Sequence, residues 1–157
     1  MKRPLLTVTV TMLLAATGCG GTAGDPLVST TLTGQFKGQS FEPAFGVATV
    51  DQGSTVIALG DGPLTCASTQ QNNPPMGTTA VVSVPALEVG TYSSIFVDMI
   101  QYEGRNLDGV GSGDATVMLT AVSASSVTGT IAYSYTDSST GDTYGLSGSF
   151  EVSRCPM

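Results

Sequence analysis

The 157 residues carry five basic and twelve acidic side chains, a formal charge of −7, and neither histidine nor tryptophan. So acidic a chain is repelled by phosphate backbones, which excludes nucleic acid as a partner, and by anionic head groups, so membrane attachment cannot rest on a basic surface. Without histidine, the usual nucleophile–base pairs and His/Cys zinc sites lack their common members.

At the start, Lys2 and Arg3 precede an uncharged run from Pro4 to Thr17. That run has the length of a secretory h-region and falls short of the roughly 20 residues a spanning helix needs. Ala16, Thr17 and Gly18 then lead directly into Cys19. This stretch, LLAATGCGG, resembles the lipobox of bacterial lipoproteins, although Ala16 stands where that family most often has Leu. The resemblance implies a diacylglycerol on the Cys19 thiol, cleavage just before it and acylation of the new amine. Gly20 occupies the place where an Asp would signal inner-membrane retention, so the same analogy implies the outer membrane. The chain accordingly divides into a signal peptide (1–18), a lipidated cysteine with a flexible tether (19–27) and one domain (28–157).

The domain reads as a succession of strands. Val28, Leu32 and Phe36 share one parity over Val28–Lys37, and Gly38-Gln39 predicts a tight turn. Ser40–Val50 predicts a second strand, with Phe41, Phe45 and Val47 on one face and Pro43 marking an edge or a bulge. Asp51-Gln52-Gly53 ends it, and Ser54–Gly60 makes a third. Asp61-Gly62-Pro63 is a turn, and Ser68–Thr78, with Pro74-Pro75, predicts an exposed loop. Thr79–Pro85 and Thr91–Tyr102 are strands around a turn near Glu88–Gly90, the latter either one long strand or two short ones. Glu103–Asp114 reads as a loop. From Ala115 to Ser153 the chain predicts a three-strand meander. There Val127, Ile131, Tyr133 and Tyr135 share a face with Tyr144, Leu146, Phe150 and Val152.

Eight or nine such strands predict an all-β fold, an antiparallel β-sandwich with a closed antiparallel β-barrel as the alternative. Cys66 and Cys155 remain as an even pair in an exported chain, and a disulfide between them is expected. The GQFKGQSF hairpin and the closing GSFEVSRC are similar to those of small secreted β-sandwich lipoproteins of bacteria, a resemblance that implies no activity.

No cofactor or metal is expected. Asp137 and Asp142, in DSSTGD, are weak calcium candidates, and ordinary turn chemistry accounts for that loop and for DGVGSGD. Tyr133, Tyr135 and Tyr144 are the aromatics that could form a ligand rim, against a core-packing alternative. Asp98 with Glu103, or Asp108 with Asp114, would serve a glycosidase-like hydrolase only if the fold set them roughly 5–9 Å apart. The expectation is a non-catalytic binding or structural module of the envelope with a protein or glycan ligand. The alternatives are a carboxylate-dependent polysaccharide hydrolase and an inhibitor or accessory subunit of an envelope complex.

Overall fold

The computed structural model describes Pro26 and residues 31–51, 54–70, 77–103 and 106–156. The expected signal peptide, Cys19 and the tether apart from Pro26 lie outside these residues, as do Val28, the Gln52-Gly53 turn and Pro74-Pro75.

Nine strands and one short helix make up the described fold: β1 (Thr33–Phe36), β2 (Gln39–Phe41), β3 (Phe45–Asp51), β4 (Ser54–Gly60), α1 (Cys66–Gln70), β5 (Gly77–Val84), β6 (Gly90–Glu103), β7 (Asn106–Val122), β8 (Ser126–Thr136) and β9 (Thr143–Arg154). Consecutive strands from β3 to β8 pair antiparallel, and β8 pairs with β9 along its full length. β9 then meets β3 in parallel through Val47↔Ser153 and Ala48↔Arg154. Seven strands therefore form a closed ring.

The fold is all-β as expected, and of the two expected architectures it is the barrel, not the sandwich. The reason lies in β9. Its twelve residues are long enough to take β8 on one edge and to share the other between β1 and β3. A sandwich would keep that second edge for one partner and leave two sheets open; closure removes the edges instead.

Inward-facing residues alternate with outward ones, and the interior is filled by side chains rather than hollow. Ile57, Leu59, Met99, Leu119 and Phe150 are each essentially inaccessible. The face shared by Val127, Ile131, Tyr133, Leu146 and Val152 is the inner one, as the alternation predicted. Outside the wall, a second cluster of Val47, Ala58, Leu64 and Cys155 packs beneath α1. Thr65 and Ser68 cap that helix reciprocally, each hydroxyl accepting from the other's backbone N–H at 3.0 and 2.9 Å. Cys66 on α1 is bonded to Cys155 just after β9, so the expected disulfide is present.

Three local expectations change and one open alternative is decided. The first turn falls on Lys37-Gly38 rather than Gly38-Gln39, with φ of 50° and 78° at the two residues. The second strand splits around Pro43 into β2 and β3. Thr91–Tyr102 belongs to one continuous strand, whose register with β7 slips between Tyr92 and Val97. Glu103–Asp114 is mostly strand: β7 starts at Asn106, because its ladder with β6 supplies hydrogen bonds that outweigh the poor strand preference of Gly and Asp.

Candidate functional site at the barrel mouth

One end of the barrel is crossed by the β1–β2 hairpin. β1 attaches to the ring by pairing with β9, Gly34 opposite Leu146, and the hairpin then turns back over the opening. The Phe41 ring lies flat on Gly34, where a Cβ would occupy the space of the ring itself. Phe36 packs edge-on against Tyr144 at 5.3 Å between ring centres. Together with Leu32, these rings join the hairpin to the barrel core.

The hairpin turn is held from both sides. Gly38 donates its N–H to the Thr143 carbonyl at 2.9 Å, fixing the turn to the start of β9. Across the mouth, the Lys37 ammonium pairs with the Asp108 carboxylate on β7. That hydrogen bond holds the Lys37 pKa above its ordinary value. Lys37 and Asp108 are both well exposed, so the pair is a positional link more than a source of stability.

Between the hairpin and the ends of β4, β5 and β6 lies a partly open cavity of about 530 Å³. This is within the 300–1,000 Å³ typical of small-molecule sites. Phe36 and Phe41 supply its apolar wall; Gln39, Ser40, Glu42, Asp61, Thr78 and Gln101 supply the polar one, with Lys37 at its margin. Asp61 is fixed by accepting the Thr78 N–H at 2.7 Å. The polar groups thus include two carboxylates and two amides, and the one cation is already paired. The arrangement suits a neutral or cationic molecule with a flat apolar side.

The residues singled out from sequence are distributed differently. Tyr133, Tyr135 and Tyr144 are brought together on the inner face at this same end, with 6.2 Å between the Tyr135 and Tyr144 ring centres. Tyr133 and Tyr144 are buried and Tyr135 half-buried, so they form the floor of the hairpin's packing and not an open rim. Burial pushes the Tyr133 phenol up, opposed by its hydrogen bond with Ser112.

Asp137 and Asp142 bracket the β8–β9 turn. Asp137 accepts from both the N–H and the hydroxyl of Ser139, at 2.8 and 2.6 Å, and these bonds hold its carboxyl below the usual range. That is turn chemistry, and among the described residues no three His, Cys, Asp or Glu side chains gather as a metal site.

Neither carboxylate pair is brought together. Asp98 and Glu103 lie five residues apart on one regular stretch of β6, about 17 Å along the strand and on opposite faces. Asp108 and Asp114 are six apart on β7, about 20 Å. Asp98 lies on the outer wall, where partial burial pushes its carboxyl above the ordinary value.

Sequence reasoning missed the cavity. Its only trace was the placing of Phe36 and Phe41 on the apolar faces of two successive strands, which did not show what they would cover. Among the described residues no helix is long and apolar enough to cross a membrane. No family model, curated protein or solved structure matches the chain.

Proposed function

We propose that the protein is a lipid-anchored, non-catalytic binding module of the bacterial cell envelope, which seats a small ligand at the mouth of its barrel. The observation that carries the binding reading is the 530 Å³ cavity under the β1–β2 hairpin, with aromatic rings on one side and convergent acceptors on the other. The lipid anchor is supported by the LLAATGCGG segment alone. Acyl chains at Cys19 would hold the domain near the bilayer, since seven residues to Pro26 reach at most about 25 Å.

The ligand this cavity favours is a neutral or cationic small molecule with one apolar face. A thermal-shift screen of the full-length protein against a library of such compounds tests the reading. Hits are expected to raise the melting temperature of the native protein and to lose that effect in Ser40→Trp, which fills the cavity from an exposed position, and in Gln101→Ala. Hits that stabilise both variants as well as the parent would place binding elsewhere. Intact mass of protein from the native host tests the anchor separately: added acyl mass on a chain beginning at Cys19 is expected, and an unmodified thiol there contradicts it.

A further inference from the structure

The barrel wall is not closed over its whole height. β7 pairs with β8 from Val122↔Val127 up to Thr116↔Ala132, and there the ladder stops. Continued in register, Ala115 would face Tyr133 and Asp114 would face Ser134; neither pair forms. β7 instead carries on to Asn106 against β6 alone, and Tyr133–Thr136 carry on against β9 alone. The cause is local to β7. Between Ala115 and Ser112 it runs three residues against two on β6, from Ile95 to Val97. Such a bulge bends its strand and ends pairing on the far edge.

Two strand edges therefore diverge from a common base. Among the described residues, no backbone hydrogen bond reaches the second edge of β7 from Leu107 to Ala115, or the facing edge of Tyr133–Thr136. Alternate residues of a paired strand direct N–H and C=O away from their partner, so these edges present unused donors and acceptors. At the base, Tyr133 reaches across to Ser112 with its hydroxyl 3.4 Å from the Ser112 oxygen, and Ser112 donates to Asp114 at 3.2 Å.

The charge along this opening is predominantly negative, with one cation, Lys37, reaching in from the hairpin and already paired with Asp108. From Asn106 through Asp142 there is no Lys or Arg, while Asp108, Asp114, Asp137 and Asp142 are present. Asp98 adds a carboxylate one strand away, opposite Gly111. A second copy of the chain is a poor occupant, because it would bring a second set of these carboxylates, on a chain of formal charge −7, to the same opening.

We infer that the opening between β7 and β8 accepts one extended, cationic peptide strand from a partner protein, by strand addition to the β7 edge. Main-chain bonds supply affinity in this mode, and alternate side chains supply selection. Lys or Arg on the peptide faces Asp114, Asp108 being already paired with Lys37. A neighbouring residue passes over Gly113, where the space is open, while Phe96 and Asp98 fill the space over Gly111. The inference depends neither on the lipid anchor nor on the mouth cavity.

The probe is a ten-residue peptide alternating lysine and valine, titrated into the full-length protein and followed by amide hydrogen exchange. Binding is expected to protect amides between Leu107 and Ala115. Methylating alternate backbone nitrogens of the peptide is expected to abolish binding, and a counterpart with glutamate for lysine should not bind. Asp114→Lys, a change at an exposed position, is expected to weaken affinity roughly five- to tenfold. Absence of binding at millimolar peptide, protection elsewhere, or insensitivity to N-methylation overturns the inference, the last reducing it to unspecific charge attraction. Self-association of the protein through β7 overturns it also.

Discussion

At the scale of single residues, Lys37 shows why a local reading placed the first turn one residue late. Two-residue hairpin turns of the primed kind need positive φ at both central positions, and glycine or asparagine signals them. Lysine carries no such signal, yet Lys37 adopts φ of 50° because Gly38 is anchored to Thr143 and the side chain is drawn to Asp108. The alternation of Val127, Ile131 and Tyr133 was readable, by contrast, because a strand's two faces are written directly in its sequence.

Asp98 carries a pH-dependent consequence of its partial burial. Its carboxyl sits above the ordinary value of 3.8 in the folded protein, so the folded state binds that proton more readily than the unfolded chain. The group's contribution is therefore most favourable below 3.8 and declines as pH rises through the raised value. Asp98→Asn, which keeps the uncharged shape, is expected to melt higher than the parent at pH 7, with the difference closing in acid. A variant that melts no higher at pH 7 would show that the outer wall does not disfavour the charge.

At the scale of elements, β7 is the clearest departure from the sequence reading. Gly109, Gly111 and Gly113, with Asp108 and Asp114, look like a loop, since these residues disfavour strands on their own. They form a strand because β6 offers a matching ladder, a contact between distant registers that no window of residues displays. The β1–β2 hairpin is an element held by one link across the mouth. Lys37→Met removes that link, and the expected outcome is faster hydrogen exchange at the Gly38 amide with the global melting transition unmoved. In the parent the link is present at neutral pH and is lost as pH rises through the elevated lysine pKa. An unchanged exchange rate at Gly38 in the variant would mean that the Thr143 carbonyl holds the turn alone.

The disulfide ties α1 to the end of β9, 89 residues later. Closing a loop of that length stabilises by about 4–5 kcal/mol on the chain-entropy model. Replacing both cysteines with alanine is expected to cost a substantial part of this, measured by urea denaturation. A loss below about 1 kcal/mol would mean that the Val47, Ala58 and Leu64 cluster already holds α1 against the wall without the bond. This pairing was legible in the sequence because only Cys66 and Cys155 remained after Cys19 had been assigned to lipid.

At the scale of the whole molecule, the number of strands and their alternation were legible and the closure was not. Sandwich and barrel use the same inward and outward pattern; they differ in which strands share an edge. Here the difference rests on two residue pairs, Val47↔Ser153 and Ala48↔Arg154, where β3 and β9 run parallel. Parallel pairing of residues more than a hundred positions apart leaves no signature in local composition. The mouth cavity was hidden for the same reason, because it exists only where β1 attaches to the ring and Phe41 folds over Gly34.

The central claim is that this mouth, and not the tyrosine cluster or the acidic turns, is where a small ligand sits. Amide chemical-shift mapping of the full-length protein, titrated with the tightest hit of the thermal-shift screen, tests it most directly. The shifts are expected to gather at Gln39, Ser40, Glu42, Thr78 and Gln101, leaving the Asp137–Asp142 turn unmoved. Saturable shifts confined to residues outside the hairpin and the ends of β4 to β6 would contradict it.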